Sequence, residues 1–299
     1  MSTALNIDHF STLISNAADE ARCISRPTLP RFTEISVIQD HQHSIDWVQL
    51  GAGPSICFSR NTLSELLMYL GSPGANPQTR VLTSIRKGIF SLGGDLQLFR
   101  QCISTGSREE LCRYGEDAVS AIWHSVSGGE SPEVITISIA NGEAQGGGFE
   151  AALACHVFIA ERGARFGFPE GLFGLFPGMG AEILLSARVG PAMAKRIIGS
   201  ARQYSAEELF GLGVVDFLAE PGMGREAAVA MTRARSCSGL TDLRIRFQAI
   251  KRDALVDTVH RWVDQALGLS AKHLAVIDYI LAAQRKLVTS KPTVRLLAS

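Results

Sequence analysis

The stretch from Val134 to His156, "VITISIANGEAQGGGFEAALACH", constrains the fold more than any other part of the chain. Its first half is β-branched and apolar, which predicts a buried strand, and "FEAALACH" has the composition of a helix. Between them stand three consecutive glycines, Gly146, Gly147 and Gly148. Each costs backbone entropy on folding, and helix propensity would favour almost any other residue here. Such residues fit a place where another atom must approach bare backbone. A helix N-terminus also carries unpaired N–H groups and a partial positive charge. The junction therefore predicts a strand running into a helix mouth that receives a ligand atom.

Two kinds of atom are candidates. Neither "GEAQGGGFE" nor "FSLGGDL" has the P-loop lysine pattern or the GxGxxG spacing, so phosphate binding is not indicated. The alternative is an oxyanion hole, which takes backbone donors from two segments, and "FSLGGDLQLF" at 90–99 is a second glycine–helix junction. Two carboxylates accompany the pair. Glu150 lies two residues past the last glycine, in the first helical turn, and Glu170 sits in "FGFPEGLFGLFPGMG". The apolar neighbours of Glu170 predict desolvation and a pKa raised toward the range useful for proton transfer. For one junction alone the plainer reading is a tight turn in which glycine supplies positive φ. For Glu150 alone it is a solvated acid complementing the helix dipole.

Elsewhere the pattern is strands alternating with helices as far as "GVVDFLA", which predicts an α/β fold. Two long amphipathic helices follow in "LRIRFQAIKRDALVDTVHRWVDQALGLSAKHLAVIDYILAAQRKL". The reading gives an N-terminal extension at 1–32, an α/β core at 33–222 and a helical module at 223–299. No internal repeat is visible. "EISVIQD" and "SIDWVQL" alternate like hairpin arms around "DHQHS", making Asp40, His41 and His43 a polar turn rather than metal ligands. Asn61 or Thr62 is expected to cap the helix through "LSELLMYL". Ser107 with Glu110, and Ser205 with Glu208, have the spacing of capping boxes.

At 299 residues and 46% hydrophobic, the chain can bury a full core. A formal net charge of zero gives no nucleic-acid footprint, and no apolar run approaches the ~20 residues of a membrane helix. "MSTALNIDHF" lacks the signal-peptide pattern, so a cytoplasmic protein is expected. Six cysteines, Cys23, Cys57, Cys102, Cys112, Cys155 and Cys237, form no CxxC pair and are expected as free thiols. His124 and His156 are expected to be packing or surface residues.

"FSLGGDL", "ANGEAQGGGFEAALACHVFIAERGARFGFPEGLFGLFPGMGA" and "RIIGSARQYSAEELFGLGVVDFLAEPG" closely resemble the enoyl-CoA hydratase/isomerase (crotonase) superfamily, in order over roughly 80–220. The resemblance implies a ββα superhelix with a helical C-terminal oligomerisation module. It also implies an oxyanion hole from the N–H groups of Gly94 and Gly147, and Glu150 and Glu170 as an acid/base pair. "FSLGGDLQLF", "GGGFEAALACH", "LFGLFPGMGA" and the helical tail are similar to one subgroup, the synthases of diffusible signal factor, which are cis-2-unsaturated fatty-acid signals. That likeness implies a 3-hydroxyacyl thioester on acyl carrier protein or coenzyme A as substrate, with thioester hydrolysis after dehydration. It implies no metal or redox cofactor, a homotrimer or hexamer, and an acyl pocket lined by Leu92, Met179, Trp262 and Ile280. By spacing alone those four are equally well ordinary core. "GAGPSICFSRNTLSEL" departs from ordinary hydratases, which sets the usual coenzyme A contacts apart from this chain. Two other readings stand beside this one: an ordinary enoyl-CoA hydratase of fatty-acid metabolism, and a binding protein on the same fold that docks a sensor kinase.

Overall fold

The computed structural model describes residues 29–72, 77–129, 133–233 and 244–290. Most of the N-terminal extension, Cys23 and Cys237 lie outside the described residues. Strands β1 (Ile35–Asp40) and β2 (Ile45–Leu50) form an antiparallel hairpin, in which His43 Nδ1 lies 2.8 Å from Asp40 Oδ2 across the turn. β3 (Thr79–Ser84), β5 (Ile135–Ala140), β7 (Val157–Glu161) and β10 (Phe217–Ala219) continue this sheet in parallel, in the order β1-β2-β3-β5-β7-β10. β5, "ITISIA", is buried at every position, as a central parallel strand covered on both faces must be. A second sheet runs β4-β6-β8-β9, from β4 (Gly88–Ser91), β6 (Gly142–Gln145), β8 (Arg165–Gly167) and β9 (Tyr204–Ser205).

The two sheets are built together. Three times the chain gives one strand to the large sheet, the next to the small sheet, and then enters a helix. β3 and β4 lead to the helix Leu96–Thr105, β5 and β6 to Gly147–Leu153, and β7 and β8 to the 3₁₀ turn Pro169–Phe173. The units stack in parallel register, β3-β5-β7 in one sheet and β4-β6-β8 in the other, which makes a ββα superhelix. The repeat is invisible in sequence because the units share geometry and not residues. Consequently the three segments that follow β4, β6 and β8 lie side by side.

The helices Arg252–Leu267 and Ala271–Ser290 pack back onto their own chain. The first buries Leu255, Val259, Trp262 and Val263, and a Cβ on Gly115 would lie 2.4 Å from Val259, so helix Arg108–Ser127 meets it at bare backbone. The second runs over Leu96–Thr105 and the 3₁₀ turn, with Arg100 paired to Asp278 at 3.1 Å.

Two helix starts differ from expectation. Ser59, not Asn61 or Thr62, caps the helix Arg60–Leu70, accepting from the Thr62 N–H at 3.1 Å. Ser107 stands at the N-cap of Arg108–Ser127 without a side-chain cap bond. Its hydroxyl meets Thr105 Oγ1 at 2.7 Å, and Glu110 pairs with Arg60 instead. The Ser205–Glu208 capping box forms with both reciprocal bonds.

Candidate active site

The three glycines do three different things. Gly146 turns the chain at φ 50°, in the left-handed region. A Cβ on Gly148 would come within 2.2 Å of Ser91 O, so this glycine lets the helix lie directly on β4. Gly147 has no positive φ. A Cβ there would stand 2.7 Å from Met179 Sδ and 3.4 Å from the Gly94 amide nitrogen, so Gly147 leaves open the space beneath Met179 and beside Gly94.

The other junction is anchored by its neighbours. Phe58 N–H donates to Gly93 O at 2.7 Å and Leu92 N–H donates to Ile56 O at 2.8 Å. Asp95 then caps the following helix through the Leu98 N–H, and its own N–H donates to Tyr114 Oη at 3.0 Å. A Cβ on Gly93 would meet Gln145 O at 2.7 Å and Gly147 N at 3.2 Å, so the two junctions touch. The amides of Gly94 and Gly147 have no acceptor among the described residues.

Glu150 is 1% exposed, which removes the reading of a solvated first-turn acid. Its Oε1 accepts from the N–H groups of Met179 at 2.8 Å and Ala181 at 2.9 Å, donors supplied by the chain entering the helix Ala181–Val189. Burial raises its pKa to about 7 against the pull of those two amides. Glu170, in the 3₁₀ turn after β8, is half-buried and faces the cavity. Its Oε2 is nevertheless shut away with no hydrogen-bond partner among the described residues. Desolvation first, and then the negative charge of nearby Glu150, raise its pKa to about 8. The pair is electrostatically coupled, so these values describe two protons leaving a shared site.

One cavity of about 290 Å³ gathers the residues proposed from the sequence for the oxyanion hole, the acid/base pair and the acyl pocket: Leu92, Gly94, Gly147, Glu150, Glu170, Met179, Trp262 and Ile280. Trp262 packs edge-on against Phe99 at 4.8 Å between ring centroids, on the wall made by the C-terminal helices. Polar lining residues escaped the sequence reading, among them Glu143, Gln145 and Gln203 on the small-sheet side and Gln284 on the last helix. The alternation of Glu143 and Gln145 in β6 was a signal for one face of a strand, obscured by the glycines beside it. His156 is buried away from this cavity. Its Nδ1 accepts from the Thr136 N–H and its Nε2 faces Val126 O, both at 3.0 Å, an arrangement that assigns the neutral Nε2–H tautomer. Burial lowers its pKa to about 4, consistent with packing and not proton transfer. Cys57, Cys102, Cys112 and Cys155 are free thiols.

Two free amides, a buried and a half-buried carboxylate with raised pKa values and an apolar wall thus share one cavity, and residues 42–260 match the family model for enoyl-CoA hydratase/isomerase. The chain belongs to this family. It is 34% identical over 134 residues to the short-chain-enoyl-CoA hydratase of Clostridium acetobutylicum, covering 44% of this chain and 51% of that protein. It is 30% identical over 192 residues to the fatty acid oxidation complex subunit alpha of Pseudomonas syringae, covering 64% of this chain and 26% of that one. The chain thus spans about half and about a quarter of these relatives' lengths. Among solved structures, Pseudomonas aeruginosa DspI is 26% identical, with a TM-score of 0.59 over 73% of this chain and 86% of that one. Membership of this family and the ββα fold are therefore established. No single helix among its described residues is long and apolar enough to cross a membrane.

Proposed function

We propose that this protein dehydrates a 3-hydroxyacyl thioester and then hydrolyses the thioester, releasing a free cis-2-enoic acid that serves as a signal. The observation that carries the reading is the placement of Glu150 and Glu170 together under the amides of Gly94 and Gly147, in a cavity whose far wall is apolar. In this reading the thioester carbonyl accepts from both amides. One carboxylate takes the α-proton, and the resulting enolate oxygen is held by the two donors, each worth ~3 kcal/mol of barrier. The other carboxyl protonates the leaving C3 hydroxyl, and water departs as the double bond forms. Separated pKa values suit this work, since one group must be ionised while the other holds its proton. For hydrolysis, an ionised glutamate takes a proton from water as the water oxygen bonds to the carbonyl carbon. The thiol then leaves with a proton from the partner glutamate. No step calls for a metal or redox cofactor.

The acyl chain lies along Leu92, Met179, Trp262 and Ile280, and the carrier is acyl carrier protein or coenzyme A. The likeness of the sequence to diffusible signal factor synthases favours long chains and hydrolysis. The identity to a short-chain hydratase favours the alternative, hydration of short enoyl-CoA in fatty-acid metabolism. The test compares crotonyl-CoA hydration with turnover of long 3-hydroxyacyl thioesters on both carriers, following free acids by mass spectrometry. Long-chain turnover with released cis-2-enoic acid, abolished by Glu150→Gln, is expected. Rapid crotonyl-CoA hydration without free acid would favour the ordinary hydratase.

A further inference from the structure

Glu143 is a third carboxylate in the cavity, and the acid/base chemistry above does not use it. It stands on β6 with its Oε1 clamped by two amides, Gln145 Nε2 and Gln203 Nε2, each at 3.2 Å. Gln145 shares its strand face two residues on, and Gln203 arrives just ahead of β9, from the far side of the small sheet. No cation pairs with Glu143 among the described residues. Its Oε2 is not shut away from solvent and has no partner among the described residues. The clamp therefore fixes one oxygen and leaves the other as a hydrogen-bond acceptor on the cavity wall.

The position of this acceptor selects the donor. The cavity is two-faced, with Trp262, Ile280, Val259 and Phe99 on the helical side and Glu143, Gln145 and Gln203 on the sheet side. Gln203 is exposed, which places its end of the polar wall at the mouth. Glu143 lies three residues up an extended strand from Gly146, roughly 10 Å of chain. A C3 hydroxyl oxygen is three bonds from the thioester carbon and must stay beside Glu150 and Glu170. The group that reaches the mouth is on the sulfur side, a pantetheine arm, which coenzyme A and acyl carrier protein have in common and which carries two amide N–H donors.

We propose that Glu143, held by Gln145 and Gln203, accepts a hydrogen bond from an amide N–H of the pantetheine arm and so sets the direction in which a thioester enters. This rests on the thioester reading above and adds the recognition of the carrier side. The test measures binding, by calorimetry, of two probes that cannot be hydrolysed, designated by their parent thioesters: the ketone analogues, with CH2 in place of the thioester sulfur, of decanoyl-pantetheine and of S-ethyl decanethioate, the second having the same acyl carbonyl without amides. Wild type is expected to bind decanoyl-pantetheine at least tenfold more tightly. Glu143→Ala should remove most of that preference while leaving S-ethyl decanethioate within twofold, since a hydrogen bond to a charged group contributes about tenfold or more. Gln203→Leu, which frees one side of the clamp, should give a smaller loss in the same direction. Equal losses for both probes, or none, would overturn the proposal, because Glu143 would then only shape the cavity or not matter. With a third probe, the amide-free one carrying a 3-hydroxyl, a Glu143→Ala loss confined to that compound would overturn the proposal in favour of hydroxyl recognition. Wild type binding neither probe would instead sink the thioester reading, and this inference with it.

Discussion

At the level of single residues, the site depends on what is absent from Gly147. Valine there places branched carbon where the carbonyl oxygen must sit, 3.4 Å from the Gly94 nitrogen at its Cβ alone, and pushes on Met179 Sδ. Because Gly147 has ordinary φ, the backbone accepts valine. Gly147→Val is expected to keep its circular dichroism spectrum and lose at least ~100-fold in turnover. The glutamates should behave as a unit. Glu150→Gln and Glu170→Gln should each cost ~100- to 10,000-fold, and the double variant should be scarcely worse than the poorer single one. Multiplying losses would show two independent groups. The form of the pair that holds a single proton is most populated between about pH 7 and 8, so the dehydration rate should fall on both sides of that window. The two glycine junctions and both glutamates stood out from spacing and neighbours, while the choice of Gly94 and Gly147 within them rested on the family resemblance. The donors to Glu150 were not, because Met179 and Ala181 lie about thirty residues away and meet it only once the superhelix has closed.

Among the elements, the helix carrying Glu150 is latched at its far end by Arg188. This buried guanidinium donates to Leu153 O, Cys155 O and Val214 O, and pairs with Asp216 at 2.9 Å. Asp216 in turn accepts from Phe158 N–H and pairs with Arg246, so a helix end, a strand start and a loop share one ion network. Arg188→Met strips three carbonyls of a donor and leaves Asp216 undercompensated. A loss of about 3–5 kcal/mol is expected in urea unfolding, against little or no change for Arg162→Ala in the exposed pairs with Glu207 and Glu220. Similar small losses for both would mean that the latch is not structural. None of this network showed in the sequence, where Arg188 is one basic residue in "LLSARVG". The capping boxes teach the same lesson. Ser205–Glu208 and Ser107–Glu110 have the same spacing, but Glu110 has Arg60 within reach and forsakes the box, a competition decided by tertiary structure.

For the whole molecule, the α/β alternation was readable while the ββα stacking was not, since three units with unlike residues share only their path. The apolar C-terminal helices were legible as amphipathic, and their docking on their own site emerged from Trp262 and Ile280 facing the cavity. Leu172, Phe210, Phe217 and Tyr279 remain largely exposed on one chain, and a symmetric homo-oligomer is expected to cover some of them. Light scattering at micromolar concentration should give a multiple of the 32.2 kDa chain, and a stable monomer would remove the expectation. The site also has a consequence for stability. Glu150 and Glu170 have folded pKa values of about 7 and 8, above the ~4.3 of an unfolded glutamate, so the native state holds more protons between those limits. Their contribution is fully present below pH ~4 and is lost as pH rises through 7 and 8. His156, lowered to about 4, works in the opposite direction, but only below its unfolded value of ~6.5. Stability of the wild type should therefore decline between about pH 6.5 and 8. Glutamine at position 170 never ionises and escapes its share of that decline. Glu170→Gln should unfold at nearly the wild-type urea midpoint at pH 4 and at a clearly higher one at pH 8.5, an inactive protein more stable than the active one. Equal midpoints at pH 8.5 would show that Glu170 ionises without cost, and that its burial does not tune it for proton transfer.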